Sequence, residues 1–208
     1  MTFLQYLDLP PLPNKIIKEI LLDSDNPQEK NKVVHYDSDG SFGKQYAGYR
    51  AYFATDIIQQ WCDHNFPGNR RAVVTKLIGG GEMIPHVDID RQLALNCLIT
   101  SGGALVLTRF FKLNNFNNVL HTGFVKTRDI FDSGLTVLEE YCIPKHTWHI
   151  LRTDCIHDVS YIDSDRVLLS IDLSESNFDR LIDQYTISVE IIRNTKKEFL
   201  SSNGTIIQ

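Results

Sequence analysis

The stretch AVVTKLIGGGEMIPHVDID, Ala72 to Asp90, decides the fold class of this chain. Two apolar runs of strand length flank Gly79-Gly80-Gly81, and a glycine cluster of this kind closes one run and opens the next. The same grammar continues beyond it. QLALNCLIT, ALVLTRFF, LTVLEEYCI, TWHILR, CIHDVSYI and RVLLSIDL are short and are separated by glycine, asparagine or aspartate turns. About eight strands in succession predict a mainly β protein with flanking helices, arranged as a sandwich, barrel or jelly roll.

Towards the N-terminus the period changes. After the proline-rich lead MTFLQYLDLPPLP, Asn14 is placed to cap a helix whose apolar residues Ile16, Ile17, Ile20 and Leu21 recur at helical spacing. Thr55 is placed to cap a second helix through Ile57, Ile58, Trp61 and Cys62, ended by Phe66-Pro67-Gly68. DSDGSFG between the two reads as turns. A last helix, SNFDRLIDQY, begins near Ser176, and the tail after Ile187 has room for one edge strand. The expectation is a single domain over residues 1–208: a helical flank at 1–70, a β core at 71–175, and a helix with its tail at 176–208.

Bulk composition agrees with one sizeable core, at 208 residues with 42% hydrophobic and 10% aromatic content. The formal charge of −5 is spread along the chain, so no basic face announces nucleic acid. No segment approaches the roughly 20 apolar residues that span a bilayer, and the N-terminus lacks the pattern of a secretory signal. Cys62, Cys97, Cys142 and Cys155 are widely spaced, which fits reduced thiols and a cytoplasmic protein.

Strand alternation puts His86 and Asp88 on one face, where a divalent ion can meet both. HxD triplets also arise by chance. A second one, His35-Tyr36-Asp37, runs into the turn-rich DSDGSFG and reads as an ordinary loop or edge-strand histidine. A facial site of two imidazoles and one carboxylate needs another histidine, and His146, His149 and His157 compete. If CIHDVSYI and RVLLSIDL form a hairpin whose turn spans Ile162 to Asp165, the pleat puts His157, Val159, Tyr161, Arg166, Leu168 and Ser170 on one face. His146 and His149 fall on opposite or skewed faces and read as supporting or surface residues.

Arg166 opens an apolar strand, and a buried guanidinium there requires an anionic partner. Its planar fork suits a carboxylate bound through two hydrogen bonds, with Ser170 or Tyr161 adding a hydroxyl. The plainer alternative is a solvated rim position paired with Asp163 or Asp165. Asn96, polar in the apolar run LALNCLIT, and Lys76 are further pocket candidates, with an edge asparagine as the alternative for Asn96. Trp148, Tyr141, Phe110 and Phe111 fit core packing better than cavity lining. The asparagine-rich LNNFNNVLH, Leu113 to His121, reads as a mobile lid over substrate.

Taken together, His86 and Asp88, the distal His157 and Arg166 nine residues further on resemble the 2-oxoglutarate and Fe(II)-dependent oxygenase superfamily over about Arg71 to Leu173. SDRVLLSIDL is similar to the aspartyl/asparaginyl β-hydroxylase-like branch, and the short chain also suits prolyl-hydroxylase-like members. Asp88 departs from the first branch, where a carboxylate at that position is often absent. The resemblance implies a double-stranded β-helix, the jelly roll of the cupins. It implies that His86, Asp88 and His157 are catalytic and hold Fe(II), and that Arg166 binds the distal carboxylate of 2-oxoglutarate, with Ser170 and Asn96 as further cosubstrate contacts.

The reaction so implied consumes O2 and 2-oxoglutarate and hydroxylates an amino-acid side chain, peptidyl or free, or a small molecule, releasing succinate and CO2. Ascorbate is a candidate reductant. The presence of Asp88 favours hydroxylation over halogenation, for which family members vacate that position. Two other readings remain open at this point: a cupin-like metalloprotein without 2-oxoglutarate, which leaves Arg166 unexplained, and a non-catalytic β-sandwich binding module with Arg166 exposed.

Overall fold

A computed structural model describes residues 3–26, 32–36, 49–68, 71–81, 83–88, 91–114, 134–172 and 181, with only the backbone described for 32–36. In chain order the elements are β1 (Leu4–Leu7), α1 (Asn14–Asp25), β2 (Lys32–Tyr36), β3 (Tyr49–Phe53), α2 (Asp56–Asn65), β4 (Val73–Leu77), β5 (Met83–His86) and β6 (Leu93–Ser101). They continue with β7 (Leu107–Leu113), β8 (Leu135–Tyr141), β9 (Trp148–Arg152), β10 (His157–Ser160) and β11 (Arg166–Asp172). All eight strands expected after Arg71 form. Among the described residues no helix is long and apolar enough to cross a membrane.

The pairing is nested. β4 pairs with β11, β5 with β10, β6 with β9 and β7 with β8, all antiparallel. A long antiparallel ribbon has therefore been wound up, and the winding adds the contacts β6–β11 and β7–β10. Two sheets result among the described residues, ordered β1-β9-β6-β11-β4-β3-β2 and β5-β10-β7-β8. This is a double-stranded β-helix, a jelly roll.

Alternation explains why the large sheet is apolar on both faces. Leu95, Cys97 and Ile99 of β6, Trp148 and Ile150 of β9, and Val167, Leu169 and Ile171 of β11 point outwards. There they meet Ile16 and Ile20 of α1 and Ile58 and Cys62 of α2, whose 3.6-residue spacing gives each helix one apolar stripe. Trp148 closes this layer, stacked on Trp61 at 6.2 Å and bonded through Nε1 to the Pro10 carbonyl. The alternate residues, Asn96, His149, Leu168 and Ser170, point inwards.

Several expectations change. CIHDVSYI and RVLLSIDL do not form a hairpin: β10 lies in the small sheet and β11 in the large one, so residues 161–165 cross between them. His157 and Arg166 therefore face each other from opposite walls, and Tyr161, at φ 61°, is exposed to solvent. The residue before α1 is Pro13, with Asn14 its first helical residue, and Thr55 precedes α2 without a capping side-chain bond. Three strands, β1, β2 and β3, extend the large sheet from the segment expected to hold only helices and turns. The final helix is described only at Leu181, which is buried, and Asn115 to His121 of the expected lid lies outside the described residues. All four cysteines are unpaired.

The glycine turn does more than start β5. Gly79 packs so tightly on the β10–β11 crossing that a Cβ would lie 2.8 Å from the Asp163 carbonyl oxygen. Gly80, at φ 82°, donates its N–H to the Ile162 carbonyl. Pro85 is accommodated because β5 is an edge strand.

Candidate metal centre

Two edge-on neighbours in the small sheet build the centre. His86 on β5 and His157 on β10 are directly paired across the strands, so their side chains leave on the same face, with ring centroids 4.3 Å apart. Asp88 follows two residues later, just past the end of β5. Its N–H donates to the Thr153 carbonyl at 2.8 Å, and its Oδ1 lies 3.5 Å from His86 Nε2. One ligand atom from each of His86, Asp88 and His157 lies within 4.8 Å of the others.

The donor set has the right chemistry for a transition metal. A backbone carbonyl can only accept, so His86 Nδ1–H donates to Ile84 O at 2.8 Å and His157 Nδ1–H donates to Cys155 O at 2.9 Å. Each Nε2 is thereby left with its lone pair towards the other ligands, as metal-bound imidazoles require. Burial is the main cause holding the His157 imidazole down at about 4, with the neighbouring His86 and Arg91 adding to it. Burial pushes the Asp88 carboxyl up, but the neighbouring His86 and the charge of Arg91 outweigh this and hold it well below the usual carboxylate range. With each ring's Nδ1–H committed to a backbone carbonyl, the centre offers two imidazole Nε2 atoms and one carboxylate, the set that leaves one face of a metal open.

Opposite lies the large sheet. Cross-strand registers put Ser170, Asn96, His149 and Tyr6 in one row, and Arg166, Leu77 and Tyr49 in another. Arg166 is 6% exposed, its Nη1 donates to the Ser101 carbonyl at 3.1 Å, and no described carboxylate pairs with it. Burial lowers its guanidinium to about 10. Asn96 Oδ1 is buried with no partner among the described residues. His149 is buried and its Nδ1–H donates to Thr147 O at 3.3 Å; burial, aided by Arg166, lowers it to about 3, so it is neutral.

A cavity of about 80 Å³ joins the two walls. His86, Asp88 and His157 line one part, Arg166, Asn96 and His149 another, with Met83, Ile143 and Leu151 between them. The sequence-derived set is therefore largely brought together. The exceptions are instructive. Ser170 faces inwards, but its hydroxyl already accepts a bond from Arg91 at 2.7 Å. Lys76 points away from the cavity, since Thr75 and Leu77 take the inward positions of β4, and it pairs with Asp25 and Asp165. His146 is exposed, and Phe110 and Trp148 are core residues.

Arg91 is the residue that sequence reasoning missed. It sits in the polar run DIDRQ, which reads as a loop, and nothing in that run marks a guanidinium turned inwards. The one available signal was its spacing, three residues after a candidate ligand carboxylate.

No family model matches this chain, and no curated protein does. Among solved structures it is similar to a prolyl-4-hydroxylase from Pseudomonas putida, at 12% identity and a TM-score of 0.47, covering 82% of this chain and 94% of that one. It is also similar to a prolyl hydroxylase from Trichoplax adhaerens in complex with a hypoxia inducible factor oxygen degradation domain peptide fragment, at 11% identity, a TM-score of 0.45, and 82% and 84% coverage. A 2OG-Fe(II) oxygenase family oxidoreductase from Burkholderia pseudomallei follows at 9% identity and a TM-score of 0.34, over 57% of this chain and 51% of that one.

Proposed function

We propose that this protein is a 2-oxoglutarate- and Fe(II)-dependent dioxygenase that hydroxylates an amino-acid side chain, peptidyl or free, or a small molecule. In this reading His86 Nε2, Asp88 Oδ1 and His157 Nε2 hold the iron. Arg166 binds the far carboxylate of 2-oxoglutarate, with Asn96 turning its amide N–H groups towards the same ligand. Iron and cosubstrate together supply the oxidative chemistry, with release of succinate and CO2. The chain's part is to bind, orient and keep water out, which the apolar lining from Met83, Ile143, Leu151 and Leu168 serves.

The observation that carries the proposal is the pairing of an open triad with a buried cation that has no described carboxylate. A guanidinium out of water is costly unless an anion joins it. A ligand with a metal-chelating end and a remote carboxylate satisfies both walls at once, whereas a metalloprotein without such a ligand leaves Arg166 uncompensated. The exposed arginine of a simple binding module is not found.

The test is anaerobic addition of Fe(II) and 2-oxoglutarate with visible spectroscopy. A charge-transfer band is expected, absent in His86→Ala and reached only at higher 2-oxoglutarate in Arg166→Met. No band in the native protein would overturn the proposal. Succinate release on admitting O2 then measures turnover, and its stimulation by candidate peptides or amino acids sorts the substrate class.

A further inference from the structure

Resting on the reading of His86, Asp88 and His157 as metal ligands, we propose that Arg91 is a positioning residue that withholds one oxygen of Asp88, so that the carboxylate offers the metal a single donor. Asp88 is divided between two neighbours. Its Oδ1 faces His86 Nε2 at 3.5 Å, and its Oδ2 accepts a 2.6 Å bond from Arg91 Nε. A charge-assisted bond of that length holds the second oxygen away from the space between the imidazoles.

The guanidinium is itself fixed. Its Nη1 donates to Ser170 Oγ at 2.7 Å and to Asp172 Oδ1 at 3.2 Å, both on β11. Two carboxylates, Asp88 and Asp172, therefore flank one cation, and burial of that cation is offset by their charge. The backbone is held from the other side by Thr153, which is fully buried. Its carbonyl accepts the Asp88 N–H, its hydroxyl donates to the Arg91 carbonyl at 3.0 Å, and its N–H donates to the Gln92 carbonyl at 2.9 Å. Asp88, Arg91 and Gln92 are thus held at main chain and side chain alike.

The clamp joins the two walls. Arg166 begins β11, and Ser170 and Asp172 end it, so the strand that presents the buried cation also sets the angle of the ligand carboxylate through Arg91. Lysine cannot replace this function, because a single ammonium cannot span Asp88, Ser170 and Asp172 as the planar fork does.

The test is titration of the metal-free full chain with Co(II), read by the visible d–d spectrum, which reports coordination number and symmetry and needs no turnover. Native protein that takes up no Co(II) at a site abolished by His157→Ala removes the metal reading itself. Given native binding, Arg91→Gln and Arg91→Lys are both expected to shift the d–d bands and to weaken Co(II) binding by about 10- to 100-fold, as loss of a group orienting a ligand does. Ser170→Ala, a small change that leaves the fork on Asp88, is expected to move the same bands less. Native spectra and affinities in all three variants would overturn the proposal. So would a native spectrum in Arg91→Lys beside a changed one in Arg91→Gln, since charge alone would then suffice.

Discussion

At the His86, Asp88 and His157 end of the cavity, every polar atom either has a protein partner or faces the space between the three side chains. At the other end, a guanidinium, an amide oxygen and a neutral imidazole lie buried with one protein bond or none. Burying such groups costs free energy unless a partner replaces water. The contrast separates two kinds of preparation. In the proposed reading, the His86, Asp88 and His157 end is built by the protein to a fixed geometry, while the Arg166 end is left for a ligand to complete.

Replacing Arg166 by methionine breaks the contrast with the largest expected effect. Loss of a charge-assisted carboxylate contact typically costs about 2–5 kcal/mol, so 2-oxoglutarate should bind roughly 30- to several thousand-fold more weakly. Stability of the ligand-free protein should hold or rise, because an apolar side chain of similar length no longer has to leave water as a cation. Cosubstrate titration of the charge-transfer band and urea denaturation of the same sample measure the two signs. Destabilisation together with unchanged cosubstrate affinity would make Arg166 a structural residue.

A pH experiment tests the neutral imidazole. His149 is held at about 3 in the folded chain against 6.5 when unfolded, so between those values the unfolded state carries the extra proton. Stability is therefore full above pH 6.5 and is lost as the pH falls from there towards 3, by up to about 1.4 kcal/mol per pH unit. In metal-free protein, His149→Asn should flatten the acid limb of a plot of unfolding free energy against pH by that share. His157 contributes in the same direction in both proteins and cancels in the difference. An unchanged slope would mean that His149 already reaches solvent or a proton donor.

Asn96→Leu is a smaller probe of the same end. Its Oδ1 has no described partner, and removing a buried unpaired acceptor in favour of an apolar group of similar size should stabilise the ligand-free protein by about 1–2 kcal/mol. Cosubstrate affinity should fall at the same time, since the amide can turn its N–H groups to an anion and leucine cannot. A melting temperature below the native value would show that the amide is already satisfied in the free protein.

Much of this was legible because strand alternation and turn residues are local. The runs after Arg71, the shared face of His86 and Asp88, and the inward positions of Arg166 and Ser170 all follow from a period of two. The partner of each strand was not legible. Read as a hairpin, His157 and Arg166 meet through shared parity; in the fold they meet because β10 and β11 lie in opposing sheets, and parity decides only that each faces inwards. Parity also places Lys76 outside, between the inward Thr75 and Leu77. Arg91 escaped because a loop has no period from which burial can be inferred, and β1 to β3 because short runs among prolines and turns carry little pattern.

The smallest expected effect belongs to the metal end and carries the opposite sign to Asn96→Leu. Thr153→Val keeps shape, the carbonyl that accepts the Asp88 N–H, and the N–H that donates to Gln92; it deletes only the hydroxyl bond to the Arg91 carbonyl. One buried hydrogen bond of this kind is worth about 1 kcal/mol, and the carbonyl left behind has no substitute donor from valine. The variant should lose about that much stability in urea, and its Co(II) bands should shift less than those of Arg91→Gln, because the guanidinium stays on Asp88. Two isosteric deletions of a polar group, Asn96→Leu and Thr153→Val, should thus move stability in opposite directions. If valine at 153 instead stabilises, the clamp on Asp88, Arg91 and Gln92 is no better satisfied than the Arg166 end, and the division between a finished wall and an unfinished one fails.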